Sequence, residues 1–324
     1  STFPSGGRYA GHWLGDNTAT WEDLQSAVIG AQEFNMFVPY WALQKETLTQ
    51  KSIKKTTSRY IGSDICGFNG ETTEELCLRW QQMGAFHTFM RNHNAIGLPP
   101  QDPFMWRTVT NATIKANLFR YEYLPYLYSL HFEASMYGKT VIRPVFYEYP
   151  TDARTHNLGD EFLWGSSMLI APGAQSVQAY LPKDDWFSVF DYKYGQRVWD
   201  GEQIFPAPYD SLIPADLSFL AKSPTSPQST LGEMRSSRSP DIADGFLYWD
   251  DGESIVESFA THPYYHWTFN YKQSEFGASL TIKMEHEAND LKVPTLDTVE
   301  IFNYKYPINM EKQTFTLNGN EVSK

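Results

Sequence analysis

The chain has 324 residues, with 26 basic and 38 acidic side chains, a net charge of -12 and 16% aromatic residues. So acidic a chain offers no basic face for phosphate and argues against nucleic acid as partner, and no apolar run reaches the length of a membrane span. The length suits one large domain or two to three smaller ones, and the aromatic surplus is read as large core groups, sugar platforms, or both.

The sequence opens inside what reads as a loop, Ser1 to Gly7, without a charged-then-apolar leader, and is expected to be part of something longer. Glu22 to Phe37 reads as an amphipathic helix running into a strand, with Asn17 or Thr20 as its cap. Trp41 to Tyr60 is polar and basic (Lys45, Lys51, Lys54, Lys55, Arg59) and reads as a solvated loop without function. Ile61 to Phe68 predicts a buried strand, Thr72 to Met83 a helix capped by Thr72 or Thr73, and Ala85 to Met90 a strand. Thr110 to Tyr137 predicts a long helical stretch, broken near Pro125 and closed by Gly138. This alternation fits the second half of a parallel α/β barrel.

From Thr140 the texture changes to short strands separated by turn signals: Thr140 to Tyr149, Met168 to Ala171, Gln178 to Leu181 and Trp186 to Asp191. Ser, Pro, Thr and Arg dominate residues 218–245, which read as an irregular link. Phe246 to Trp249, Gly277 to Glu285 and Thr298 to Phe302 predict a second β module. The expected fold is therefore multidomain, α/β plus all-β. Residues 1–137 form the C-terminal half of a (β/α)8 barrel with an atypical insertion at 41–60. A proximal β-sandwich at 138–217, a linker at 218–245 and a distal β-sandwich at 246–324 follow.

Gly11-His12-Trp13-Leu14-Gly15-Asp16-Asn17 puts a carboxylate on a Gly-flanked turn beside an aromatic wall, and Arg91-Asn92-His93-Asn94 supplies a guanidinium and an imidazole. An acid in an aromatic cleft with basic groups nearby suits protonation of a sugar leaving group. Asp16 is either that acid or the cap of the following helix. Trp13 is a core aromatic or, three residues from an acid, a sugar-stacking wall. Asp64, in an apolar strand, needs a partner, and Arg91 is the natural one. The pair is a structural ion pair or a sugar-hydroxyl site. His93 is a ligand or a hydrogen-bonded core histidine, and His12 has no evident partner. Asp250-Asp251-Gly252 reads as an exposed turn rather than a calcium loop. Cys66 and Cys77 could be a bridge, two buried thiols or half a metal site, although no His or Cys stands close enough to complete zinc ligation. Asn111-Ala112-Thr113 fits an N-glycosylation acceptor and, with a possible bridge, points to an oxidising compartment.

Arg8 to Asn17, Ser63-Asp64-Ile65-Cys66-Gly67-Phe68, Phe89 to Asn94 and Phe246-Leu247-Tyr248-Trp249-Asp250-Asp251-Gly252 resemble glycoside hydrolase family 31. The resemblance is nearest to animal maltase-glucoamylase, sucrase-isomaltase and lysosomal acid α-glucosidase types. It implies a retaining exo-α-glucosidase acting on α-linked glucose oligosaccharides of the maltose or isomaltose kind, without a cofactor or metal. It also implies a place in the secretory pathway. By motif, Asp16 is the general acid/base. Trp13, Asp64, Phe68, Arg91 and His93 belong to the glucose subsite, and Cys66 and Cys77 match a disulfide pair.

The departures from the family are specific. The nucleophile Asp of a Trp-x-Asp-Met-Asn-Glu type motif is absent, so the chain alone is expected to be inactive, or a non-catalytic carbohydrate-binding module. The resemblance implies that Pro39-Tyr40 joins Ile61-Gly62 almost directly, which makes 41–60 an interruption of a barrel strand. After Ile213-Pro214 a Gly-rich strand of the family is replaced.

Overall fold

The computed structural model describes residues 12–13, 15–44, 60–172, 176–189, 194–206, 217–222, 233–236, 242–293, 304, 306, 314–317 and 320–322. Short parallel strands make one wall. β1 (His12–Trp13) pairs with β2 (Ile61–Gly62), and β3 (Asp64–Ile65), just beyond it in the chain, pairs with β4 (Arg91–Asn92). Helices connect them, α1 (Trp21–Gln44) and α2 (Glu74–Gly84), and α3 (Arg107–Glu122) and α4 (Leu124–Tyr137) follow β4. This is the strand-helix alternation of a (β/α)8 barrel, and among the described residues the sheet does not close.

Local chemistry sets the helix ends. The Thr20 hydroxyl accepts from Asp23 N (3.2 Å) and caps α1, and the Thr73 hydroxyl accepts from Leu76 N (3.3 Å) and caps α2. Gly138 closes α4 with φ +73° and donates its N–H to Ala134 O at 3.1 Å. α1 buries Ala27, Val28 and Ala31 at helical spacing. It then runs through Pro39 to Gln44, so the strand expected at Pro39-Tyr40 is helix, and no local feature accounts for the proline there. An interruption beginning at Trp41 would thus start inside α1, and residues 45–59 lie outside the described residues.

Two further expectations fail for visible reasons. The strand at Ile61 to Phe68 breaks at Ser63 and ends at Ile65, where Cys66 turns to φ +75°. The strand at Ala85 to Met90 is a turn. Phe86 N donates to Met83 O and His87 N to Gly84 O, while Arg120 claims the carbonyls of Ala85 (2.5 Å), His87 (2.7 Å) and Thr88 (3.1 Å). A guanidinium has taken the acceptors a ladder would have used.

The proximal β module holds a six-stranded sheet. β5 (Ile142–Pro144), β6 (Phe162–Trp164), β7 (Met168–Pro172), β9 (Trp186–Ser188), β10 (Arg197–Val198) and β12 (Leu217–Lys222) lie in the order β10-β9-β12-β7-β6-β5. β8 (Ser176–Leu181) pairs with β11 (Gly201–Pro206) as a second layer. The strand expected to reach Tyr149 ends at Pro144, and Val145–Glu148 is a short helix, α5.

β7 is apolar without alternation because both of its faces are covered. Met168 and Ile170 join the core shared with the barrel helices, while Leu169 and Ala171 join the core under β8. Trp164 donates its indole N–H to Phe86 O (2.8 Å), and the Tyr126 hydroxyl donates to Trp164 O (2.7 Å), which ties this sheet to the barrel turn.

The linker expected at 218–245 is a correction. Leu217 to Lys222 forms β12 between β7 and β9, and β13 (Glu233–Ser236) and β14 (Ile242–Trp249) begin the distal sheet. The Ser/Pro-rich stretch at 223–232 lies outside the described residues, as does the strand expected at 298–302. The distal sheet runs β13-β14-β15-β16, with β15 (Tyr265–Ser274) and β16 (Gly277–His286). β15 buries Tyr265, Trp267, Phe269, Tyr271 and Gln273 in strict alternation. A small hairpin, β17 (Phe315–Leu317) and β18 (Asn320–Val322), ends the chain.

Candidate active site

The loops after β1, β3 and β4 leave from the C-terminal ends of parallel strands, the face on which such barrels build sites. Asn17 organises them. Its side-chain amide donates to Asp64 O (3.0 Å) and its Oδ1 accepts from Asp64 N (2.9 Å), so a side chain continues the β1 pairing along the β2–β3 line. The carbonyl of Asn17 accepts from Phe68 N (2.7 Å) and Asn69 N (3.1 Å). Gly15 (φ +106°) makes the preceding turn, in which Asn17 N donates to Gly15 O at 2.9 Å.

Three of the expected site residues form one knot. Asp64 is 1% exposed, and its Oδ1 accepts from Trp13 Nε1 (3.0 Å) and from Arg91 (3.1 Å). The Arg91 guanidinium also lies 4.4 Å over the Trp13 ring, whose edge meets Phe89 at 5.2 Å between centroids. The packing is tight enough that Gly62 could carry no side chain: a Cβ there would lie 2.2 Å from Phe89 O and 2.5 Å from Trp13. Asp64 Oδ2 is buried and takes no hydrogen bond among the described residues.

Phe68 and His93 form a second pair, rings 5.2 Å apart, on adjacent loops. The loops are pinned by Ala95 N donating to Phe68 O (3.0 Å). Gln101, 5% exposed, also holds them, its Nε2 within 3.2 Å of the carbonyls of Ile65, Gly67 and His93 and of Asn92 Oδ1. The disulfide between Cys66 and Cys77 fastens the same loop to α2. Asp16 stands apart from the knot. Its carbonyl accepts from Asn69 Nδ2 (2.7 Å), while its carboxylate is exposed and takes no hydrogen bond or ion pair among the described residues. Since Thr20 caps α1, Asp16 is not the cap.

Sequence reasoning missed Asn17 and Gln101 as organisers. Both are neutral amides, and only the convergence of backbone groups on them in three dimensions shows their role. The exposed turn expected at Asp250-Asp251-Gly252 needs correction. Asp251 is exposed and accepts from the N–H groups of Glu253 and Ser254, but Asp250 is 7% exposed and bound by Tyr128, Tyr248 and His262. The side chain of His12 lies outside the described residues. Asn111 is half-buried on α3 with Thr113 buried beside it. Among the described residues no group of three or more His, Cys, Asp or Glu is placed to hold a metal ion, and no helix is long and apolar enough to cross a membrane.

Comparison with known proteins identifies the family. A family model for the glycosyl hydrolases family 31 TIM-barrel domain matches residues 1–44 and 48–130, and one for the glycosyl hydrolase family 31 C-terminal domain matches 138–217. Together they cover nearly two thirds of the chain. The alpha-glucosidase of Hordeum vulgare is 33% identical over 99% of this chain and 36% of its own length. The lysosomal alpha-glucosidase of Mus musculus is 35% identical over 79% of this chain and 28% of its own. Among solved structures, the Flavobacterium johnsoniae GH31 dextranase complexed with glucose superposes with a TM-score of 0.68 at 20% identity, covering 89% of this chain and 36% of that one. The chain spans about a third of the length of these relatives.

Proposed function

Because the chain belongs to glycoside hydrolase family 31, we propose that it supplies the acid/base half of a retaining exo-α-glucosidase site for α-linked glucose oligosaccharides. The observation that carries this reading is the buried Asp64 carboxylate. One oxygen is held by Trp13 and Arg91 and the other is left without a donor among the described residues, on the face that also presents Asp16. A buried carboxylate oxygen without a donor is costly, and a sugar hydroxyl is a donor of the right kind.

In this reading Trp13 and Phe68 wall the glucose ring, and Asp64, Arg91 and His93 hold its hydroxyls. Asp16 gives a proton to the leaving oxygen and then takes one from water. The bond to the anomeric carbon passes to a second carboxylate, about 5–5.5 Å from Asp16 in retaining enzymes. No Trp-x-Asp-Met-Asn-Glu type motif occurs in these 324 residues, so this reading requires the nucleophile to be supplied to the chain. The Cys66–Cys77 bridge and the lysosomal relative support a place in the secretory pathway.

Two measurements test this reading. The purified chain should release no aryl from an aryl α-glucoside. Turnover that Asp16→Asn abolishes would show that another carboxylate serves as nucleophile. With the upstream segment supplied, turnover should appear, and Asp16→Asn should lower it about 100- to 10,000-fold. Binding of methyl α-glucoside with no turnover in either case would establish instead a non-catalytic carbohydrate-binding module, the reading favoured by the missing nucleophile alone.

A further inference from the structure

α3 has a conflict on its surface. Its inner face buries Val109, Ala112, Thr113, Ala116 and Phe119. Its outer face carries Ile114, Leu118 and Tyr121 at 54%, 64% and 72% exposure, and Leu124, 40% exposed, begins the next helix. Spacings of four and three put Ile114, Leu118 and Tyr121 in one stripe. Single exposed apolar residues are ordinary, but a continuous stripe of large ones is costly unless something covers it.

The same face holds the chain's one Asn-x-Ser/Thr acceptor. Asn111 precedes Ile114 by three residues and Leu118 by seven, so the three side chains project from one side of the helix, about 4.5 Å and 10 Å apart along the axis. Asn111 is half-buried and its amide makes no hydrogen bond among the described residues.

We propose that Asn111 carries an N-linked glycan whose first sugars lie over Ile114 and Leu118 and whose branches reach Tyr121. The proposal rests on the secretory-pathway part of the functional reading. The occupant of the stripe is then the chain's own sugar, whose C–H faces pack on apolar and aromatic side chains while its hydroxyls stay in water. The step is a glycosyl transfer from a lipid-diphosphate oligosaccharide. The bond from the anomeric carbon to the diphosphate oxygen breaks, that carbon bonds Asn111 Nδ2, the diphosphate leaves with the electron pair, and one amide proton is released. Thr113, which completes the acceptor, is 8% exposed in the folded chain with its Oγ1 unpartnered among the described residues. Transfer therefore precedes the folding of α3.

The test is secretion of the full chain from eukaryotic cells behind an added leader, with glycopeptide mass spectrometry on total cellular and secreted protein. Asn111 should carry a glycan, and chain refolded in vitro should not accept one. Enzymatic removal of the glycan, or Asn111→Gln, should raise binding of an apolar fluorescent dye about two-fold. Adding Leu118→Lys to Asn111→Gln should return the dye signal to its starting level. Protein with Cys66–Cys77 oxidised but Asn111 bare overturns the proposal and leaves the glucosidase reading standing. A glycan whose removal leaves dye binding unchanged overturns the covering role. Methyl α-glucoside binding, measured on the same samples, should not change with the glycan.

Discussion

Asp64 and Asp250 are both buried aspartates, and they are held in opposite ways. Asp250 sits where α4 meets the distal sheet. Its Oδ1 accepts from Tyr128 (3.0 Å) and Gly252 N (2.8 Å), and its Oδ2 lies within reach of Tyr128 (2.9 Å), Tyr248 (2.5 Å) and His262 Nε2 (3.0 Å). Burial, with the carboxylate beside them, pushes the Tyr128 and Tyr248 hydroxyls far above the ordinary phenol range, so both remain donors. Among the described residues Asp64 has donors on one oxygen only. In the proposed reading Asp250 fills its acceptor sites from within because it holds the fold together, and Asp64 keeps one oxygen open for a sugar hydroxyl. Local sequence does not separate the two cases, since Ser-Asp-Ile-Cys and Trp-Asp-Asp-Gly each place an acid beside bulky neighbours.

Removing the saturated acid should have the largest effect. Asp250→Ala strands two tyrosine hydroxyls, a histidine and a backbone N–H, and we expect a loss of about 3–5 kcal/mol in urea unfolding. It should also loosen the distal sheet, because Tyr248 N donates to Ser129 on α4 (3.0 Å) and the Phe132 and Tyr248 rings stack at 4.3 Å. A loss below about 1 kcal/mol would break the comparison, because Asp250 would then hold nothing.

A group without a hydrogen bond among the described residues extends the series. His87 is fully buried with neither ring nitrogen hydrogen-bonded among the described residues, and burial, then the nearby Arg120 charge, lowers its pKa to about 4. The unfolded histidine titrates near 6.5, so between those values the unfolded chain binds more protons than the folded one. The contribution of His87 is complete above pH 6.5 and is lost as pH falls through about 4, a span worth about 3 kcal/mol. Glu161 has the opposite slope. Burial raises its pKa to about 8, so its contribution is present below pH 4.5 and disappears as pH rises through 8. Denaturant melts across pH 4–8 should show His87→Leu flattening the acid limb and Glu161→Gln the alkaline one. An acid limb unchanged in His87→Leu would mean that the imidazole has a partner when folded.

The smallest effect on stability should come from the site. Asp64→Asn keeps the shape of the knot and leaves Arg91, whose side chain is 46% exposed, in contact with water, so we expect a cost within about 1–2 kcal/mol. Glucoside binding should fall about ten-fold or more in the same variant. Equal damage to folding from Asp64→Asn and Asp250→Asn would remove the distinction between the two acids and return Asp64 to the role of structural ion pair.

What the sequence discloses follows the range of the interactions involved. Thr73, Pro125 and Gly138 act on their own turns, and the helix ends they mark stand where expected. The Asp64–Arg91 pairing was readable because a charge in an apolar strand needs its opposite nearby. The turn at 85–90 was not, because Arg120 sits more than thirty residues away in the chain. β15 is a different case: Tyr265, Trp267, Phe269 and Tyr271 alternate with His266, Thr268, Asn270 and Lys272, a strand pattern carried by the sequence itself. β12 and β13 were hidden by the Ser/Pro-rich stretch between them, whose composition spread to their own reading. Asp250 looked exposed because Asp251 and Gly252 make a turn, and its partners arrive from α4 and from the segment before β15.

The two-faced strand β7 has a thermal consequence. Met168 and Ile170 belong to one core, Leu169 and Ala171 to the other, so a single five-residue strand is the wall of both. Heat cannot dissolve either core without stripping the same backbone. The barrel helices and the proximal sheet should therefore absorb heat in one calorimetric peak, although the chain changes from helical to all-β texture between them.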